Sequence, residues 1–123
     1  MKPRKLTLTS LRKKVWKILV KDVKIYTINM KESGYPSVAA TSERDGNILT
    51  IHLDFCENDV ANSTIHEILH DILDQYFSEF ATYTVYEEWI SATELKFFEG
   101  LTVKTKKKWY NMIRSKIIKM EKL

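Results

Sequence analysis

Apolar residues set the first element. Leu8, Leu11, Val15, Ile18 and Leu19 recur three and four apart in "LTLTSLRKKVWKILVK", which predicts a helix with Ser10 or Thr9 as its N-cap. "VKIYTINM" alternates through Val23, Ile25 and Ile28 and reads as a strand, and "GYPS" reads as a turn. "SVAATSER" and "NILTIHLDF" flank Asp45-Gly46, which predicts a hairpin. In its second strand Leu49, Ile51, Leu53 and Phe55 take one face, and Thr50, His52 and Asp54 take the other. From about Asp59 to Phe77 a helical period returns, with Ile65, Ile68, Leu69, Ile72 and Tyr76 as a core stripe. "TYTVYEEWISATELKFFEGL" should open as a short extended stretch or turn, then run as helix to about Glu99 and stop at Gly100. "KTKKKWYNMIRSKIIKMEKL" predicts a last helix with Tyr110, Ile113, Ile117 and Met120 inward and its lysines outward. Helix, three strands and three helices, in that order, predict an α+β fold. Residues 1–123 are expected to form one domain.

Composition narrows the class. The chain is 44% hydrophobic and 29% charged, as expected of a globular protein with a modest core. No apolar run reaches the length of a membrane span. The basic start "MKPRKLTLTSLRKKVWK" lacks the apolar block and cleavage site of a signal peptide. A lone Cys56 gives no disulfide framework, so the expected location is cytoplasmic. The net charge of +4 hides an asymmetry: residues 1–42 carry +8, residues 43–99 carry −11 and residues 100–123 carry +7. An acidic centre with basic flanks suits a cation site in the middle. The flanks either pack around that centre or contact a polyanion such as nucleic acid.

The candidate chemistry lies in "STIHEILHDILDQ", where His66 and His70 stand four apart with Glu67 directly after the first. Residues four apart on a helix nearly superimpose in rotation, about 6 Å apart along the axis. Two imidazoles so placed can grip one metal ion. A glutamate beside them can take a proton from a water whose pKa zinc lowers to about 7. A tetrahedral site needs a third protein ligand. No histidine follows His70, and a buried structural thiol is the expected state of Cys56. The acids of "YEEWISATE" therefore remain, namely Glu87, Glu88 and Glu94, although the dipole of a helix N-terminus favours acids there without any metal.

These segments, "NILTIHLDF", "STIHEILHDILDQY" and "EEWISATELKFFEGL", resemble the minimal single-domain zincins of the gluzincin type. In particular they are similar to small HExxH metallopeptidase-like proteins of bacteriophages and mobile elements. The resemblance covers about residues 46–101 and leaves the ends outside. It implies His66 and His70 as zinc ligands, Glu67 as general base, and Glu88, directly before Trp89-Ile90, as third ligand, with Glu87 as second choice. The chain departs from larger gluzincins at Ala92, four after Glu88, where an acid often orients a histidine. Support for the ligands must then come from elsewhere. Tyr83, Tyr86 and His52 are the candidates for stabilising a tetrahedral intermediate.

The function expected from this reading is zinc-dependent hydrolysis of a peptide or protein substrate, with "NILTIHLDF" as a strand along which the substrate could extend. The alternative is a nucleic-acid-associated or interaction protein on the same scaffold, with structural or vestigial zinc. The basic termini and Trp16, Trp109 and Tyr110 motivate it, although the spacing of these aromatics also suits a core.

Overall fold

Thr7, not Ser10 or Thr9, caps the first helix. Its side chain accepts from the Ser10 backbone, and the Ser10 hydroxyl accepts in turn from the Thr7 backbone. The computed structural model describes residues 7–28, 40–54 and 60–119. In chain order the elements are α1 (Leu8–Lys21), β1 (Val23–Ile28), β2 (Ala40–Asp45), β3 (Ile48–Asp54), α2 (Val60–Leu73), a 3-10 turn (Asp74–Glu79), α3 (Tyr83–Lys96), α4 (Val103–Ser115) and β4 (Ile117–Lys119). The fold is α+β, as the sequence pattern predicts. Phe55, Cys56, Met120 and the "GYPS" segment lie outside the described residues.

The strands form one mixed sheet in the order β2-β3-β1-β4. β2 and β3 are the antiparallel hairpin, while β1 pairs parallel with both β3 and β4. Asp45 pairs with Ile48, so the turn residues are Gly46-Asn47, one step later than Asp45-Gly46. Gly46 has φ +61, whereas Asn47 keeps a negative φ. That sign pattern belongs to a type II′ turn, which needs glycine at its first central position.

Side-chain alternation puts Val23, Ile25, Leu49, Ile51 and Leu53 on one face of the sheet. They share a single buried cluster with Leu11, Val15 and Leu19 of α1 and Ile65, Ile68, Leu69 and Ile72 of α2. Tyr86, Ile90 and Phe97 extend this cluster along α3, and Trp109 and Ile113 extend it along α4. Trp16 and Trp109 meet edge to face with ring centroids 4.8 Å apart, which fastens α4 to α1. Phe97 and Phe98 pack around the same indole.

The C-terminal segment departs from expectation. The helix stops at Ser115, and Ile117–Lys119 becomes β4, with Ile117 opposite Ile25. Two adjacent β-branched residues next to an unpaired edge of β1 gain more from the ladder than from another helical turn. Within α4 the inward residues are Trp109 and Ile113, while Tyr110 is 38% exposed. Trp109 and Tyr110 are adjacent aromatics after a lysine run, which leaves the register open by one residue, and the Trp16 contact decides it.

Thr64 sits on the core face of α2, fully buried, and its hydroxyl has no hydrogen-bond partner among the described residues. A buried hydroxyl without a partner costs about 1–3 kcal/mol. Thr64→Val should therefore stabilise the fold by about 1 kcal/mol, seen as a rise in Tm of about 3 °C. A fall of that size would show that the hydroxyl is bonded in solution.

Candidate metal centre

The stripe that buries α2 also aims its histidines. With Ile65, Ile68, Leu69 and Ile72 in the core, His66 and His70 lie one step around the helix, at the rim. Their side chains are only 22% and 19% exposed. α3 packs beside α2 and buries Tyr86 and Ile90. Glu87 follows Tyr86 at the edge of that stripe, and Glu94 follows Glu87 by seven residues, about two turns, on the same side. The two rims face each other across the helix pair.

Each imidazole presents its Nε2 to Glu87. His70 Nε2 is 2.5 Å from Glu87 Oε1, and His66 Nε2 is 3.8 Å from Glu87 Oε2. The other ring nitrogens are held from behind. His66 Nδ1 lies 2.7 Å from Glu94 Oε1. His70 Nδ1 lies 3.3 Å from the Tyr86 hydroxyl and 3.6 Å from Asp74 Oδ1, and the same hydroxyl donates to Asp74. Glu94 accepts from His66 Nδ1 and the Tyr86 hydroxyl accepts from His70 Nδ1, so a cation that displaces the proton shared with Glu87 would find both Nε2 atoms turned to the shared space. Glu94 holds the pKa of His66 above the ordinary histidine value, chiefly through its hydrogen bond, against the opposing effect of burial. Burial, then the hydrogen bond to Asp74, raises the Tyr86 phenol, so it stays protonated and donates.

His66, His70 and Glu87 each offer one ligand atom, and these atoms all lie within 4.8 Å of one another. Ligands about 2.0–2.2 Å from a tetrahedral zinc ion lie roughly 3.3–3.6 Å apart. The set closes on one cation with small side-chain adjustments. Two histidines and one glutamate also form a known ligand set of catalytic zinc, which leaves a fourth position for water. The residues fit the ion.

The structure brings His66 and His70 together with Glu87, the second choice of the sequence reading, and not with Glu88. Glu88 is exposed, whereas Glu87 is half-buried against the histidines; both line a shallow concavity along α3 with Tyr83, Thr84, Ser91 and Leu95. One residue of helix is a rotation of about 100°, which carries Glu88 away from the histidines. The choice of Glu88 followed from the linear motif before Trp89-Ile90. The helical wheel favours Glu87, which shares a side with Glu94. Asp74 went unremarked in the sequence, although it stands four residues after His70 and so on the same side of the helix. Glu94 was weighed as a ligand but serves the back of His66 instead, and this supplies the orienting acid that Ala92 cannot.

Glu67 is half-buried on the same turn, and its charge reaches both His66 and Tyr83. Tyr83 is 59% exposed and donates to Glu87 Oε1 at 3.2 Å. Desolvation at its hydroxyl and the carboxylates of Glu87, Asp74 and Glu67 raise its pKa. His52 stands on the opposite face of β3 from the α2 contact, stacked on Tyr26 with centroids 5.6 Å apart. Arg44 ties β2 to α2 through a two-pronged pair with Asp71, at 2.9 and 2.6 Å, one residue after His70.

In comparisons with known proteins the chain matches no family model, no curated protein and no solved structure.

Zinc titration against a chromogenic chelator should separate the two adjacent glutamates. Glu87→Ala should weaken zinc by more than roughly 100-fold, beyond what loss of an outer hydrogen-bond partner does, while Glu88→Ala should leave it unchanged. The reverse order would move the third ligand to Glu88.

Glu94→Ala should weaken zinc by roughly 10- to 100-fold without abolishing binding, because it frees the His66 ring but removes no ligand. Complete loss would place Glu94 among the ligands themselves.

Proposed function

We propose that this chain is a zinc-dependent metallopeptidase of the minimal gluzincin type. The observation that carries the reading is the convergence of both Nε2 atoms on Glu87 while both Nδ1 atoms are braced by separate hydrogen bonds. A structural pair of surface histidines has no need of oriented tautomers. Bound zinc would supply a Lewis acid that lowers the pKa of water to about 7 and polarises a carbonyl.

The chain's own groups divide the remaining work. Glu67, beside the ligands and outside the ligand set, takes a proton at its carboxylate and can return it to the departing amine. Tyr83 is the exposed phenol at the rim, and its raised pKa keeps it a hydrogen-bond donor. That suits it to stabilise a developing oxyanion. Tyr86 is committed to Asp74 and His70, so it positions rather than reacts. His52 faces away and has no part in this scheme.

An extended peptide would dock on β2 rather than on β3. β3 is bonded along both edges, by β2 and β1, and has no free ladder. β2 is the outer strand of the order, and among the described residues no strand flanks its far side. Arg44 couples that strand to α2 directly behind His70, so a substrate seated on β2 would be held in fixed relation to the site. No described helix is long and apolar enough to cross a membrane. Together with the single cysteine, this supports action on a peptide or protein in the cytoplasm.

The test is Glu67→Gln in zinc-loaded protein, read by mass spectrometry on a mixed peptide library. Cleavage should fall by roughly 100-fold or more while zinc stays bound, because the amide fills the space but cannot accept the proton. If the wild-type protein, loaded with zinc, cut none of the library, the peptidase reading would fail. If Glu67→Gln lost zinc as His70→Ala does, Glu67 would belong to the ligand set.

A further inference from the structure

The two most basic elements of the chain are neighbours in space. α1 and α4 meet through Trp16 and Trp109, and Lys108 Nζ lies over the Trp16 ring at 4.9 Å. Neither helix contains an acidic residue. On α1, Lys13, Lys14 and Lys17 are exposed; on α4, so are Lys104, Lys107 and Lys108. The α4 lysines line a shallow groove with Asn111, Met112 and Ser115. Among the described residues, Arg12 and Lys116 bond carbonyls, not carboxylates: Arg12 to Phe97 and Glu99, and Lys116 to Val20. The positive charge of the patch is therefore not offset by acids on its own helices. The other helix pair, α2 and α3, carries Glu67, Asp71, Glu87, Glu88 and Glu94, of which Glu87 and Glu94 meet the histidines.

We propose that the paired faces of α1 and α4 bind the phosphate backbone of duplex nucleic acid, independently of the metal centre and of sequence. Lysines three and four apart on each helix are about 5–6 Å apart along the surface, close to the spacing of successive phosphates, and two packed helices set the rows about 8–10 Å apart. Lysine binds phosphate as a point charge and reads no base. A single strand would call for exposed aromatic rings on which bases stack. Here Trp109 is 6% exposed and Trp16 packs against it, so neither indole is offered, and Tyr110, 38% exposed, is a single ring rather than a row on which successive bases could stack. An anionic lipid surface calls for an apolar row beside the charges. On α4 the exposed large apolar residues are Val103 at the helix start and Tyr110 further on, with lysines between them, which makes no continuous row. The separation of charge would also orient the chain on a polyanion, with the acidic metal centre turned away from the phosphates and open to a protein or peptide.

The test is fluorescence anisotropy of a labelled duplex of random sequence, titrated with the full chain at several salt concentrations. Binding in the micromolar range at low salt is expected, falling with a log–log slope of about −4 if four to five phosphates are engaged. Lys104→Gln/Lys107→Gln should reduce the slope by about 2 and weaken binding at least 10-fold. Lys13→Gln/Lys17→Gln, on the other helix, should do the same. Lys24→Gln, on the outer face of β1, is the control and should change neither. Circular dichroism and zinc titration confirm that each variant is folded. No binding at low salt would overturn the proposal, and so would equal weakening by Lys24→Gln. Tighter binding to phosphatidylserine vesicles than to duplex would also overturn it and reassign the face to membrane. None of these outcomes depends on peptide cleavage.

Discussion

Burial of the α2 stripe against the sheet is the constraint on which the site depends. Ile65, Ile68, Leu69 and Ile72 are at or near zero exposure. A buried side chain of this kind contributes about 2 kcal/mol, so the four together far exceed a surface ion pair at 0–1 kcal/mol. The rotation of α2 about its axis is thus decided by hydrocarbon. The Arg44–Asp71 pair adds direction, not the bulk of the energy. Once that rotation is set, His66 and His70 have one available position, at the seam with α3. The same argument applied to Tyr86 and Ile90 sets α3 and brings Glu87 to the seam from the other side. The His66, His70 and Glu87 group is a consequence of two hydrophobic stripes whose edges meet.

The seam then becomes an electrostatic problem. Glu87, Glu94 and Asp74 face imidazoles rather than lysine or arginine. Without a cation, carboxylates this close must be balanced by protonated histidine, which the raised pKa of His66 reflects. Such a group favours the folded chain fully below the unfolded histidine value and loses that contribution as pH rises through the raised folded value. A divalent ion competes for the same lone pairs and supplies the same countercharge at a pH where histidine is neutral. Proton and metal are alternative ways of closing one network.

How much of this is legible in the sequence depends on the kind of signal. The stripes of α1 and α2, the alternation of β3 and the Gly46 turn are periodic patterns with a local cause, and they hold to within a residue or two. The HExxH spacing is equally local and places two imidazoles and the neighbouring glutamate on one turn. What the pattern misses is set by distance. Ile117-Ile118 turns to strand because β1 has an open edge, and nothing within that segment announces a partner some ninety residues earlier. Glu87 and Glu88 are equivalent in composition, and only the buried face of α3 separates them. Tyr110 and Trp109 present the same ambiguity, which Trp16 resolves. In each case a contact far away in the chain chooses between adjacent residues.

The same distant contacts explain why the charge asymmetry survives folding. Basic ends could have wrapped the acidic centre and neutralised it. Among the described residues, α1 and α4 instead bury their apolar faces in the common core and meet through Trp16 and Trp109, which leaves Lys13, Lys14, Lys17, Lys104, Lys107 and Lys108 exposed. The self-repulsion of such a surface is tolerable in water, where charges more than about 8 Å apart are largely screened at physiological salt. Bringing the lysines to the seam would instead place ammonium groups beside the imidazoles and lower their affinity for a cation. Keeping those lysines away from the seam therefore leaves a proton or a divalent ion as the available countercharge for the His66, His70 and Glu87 group.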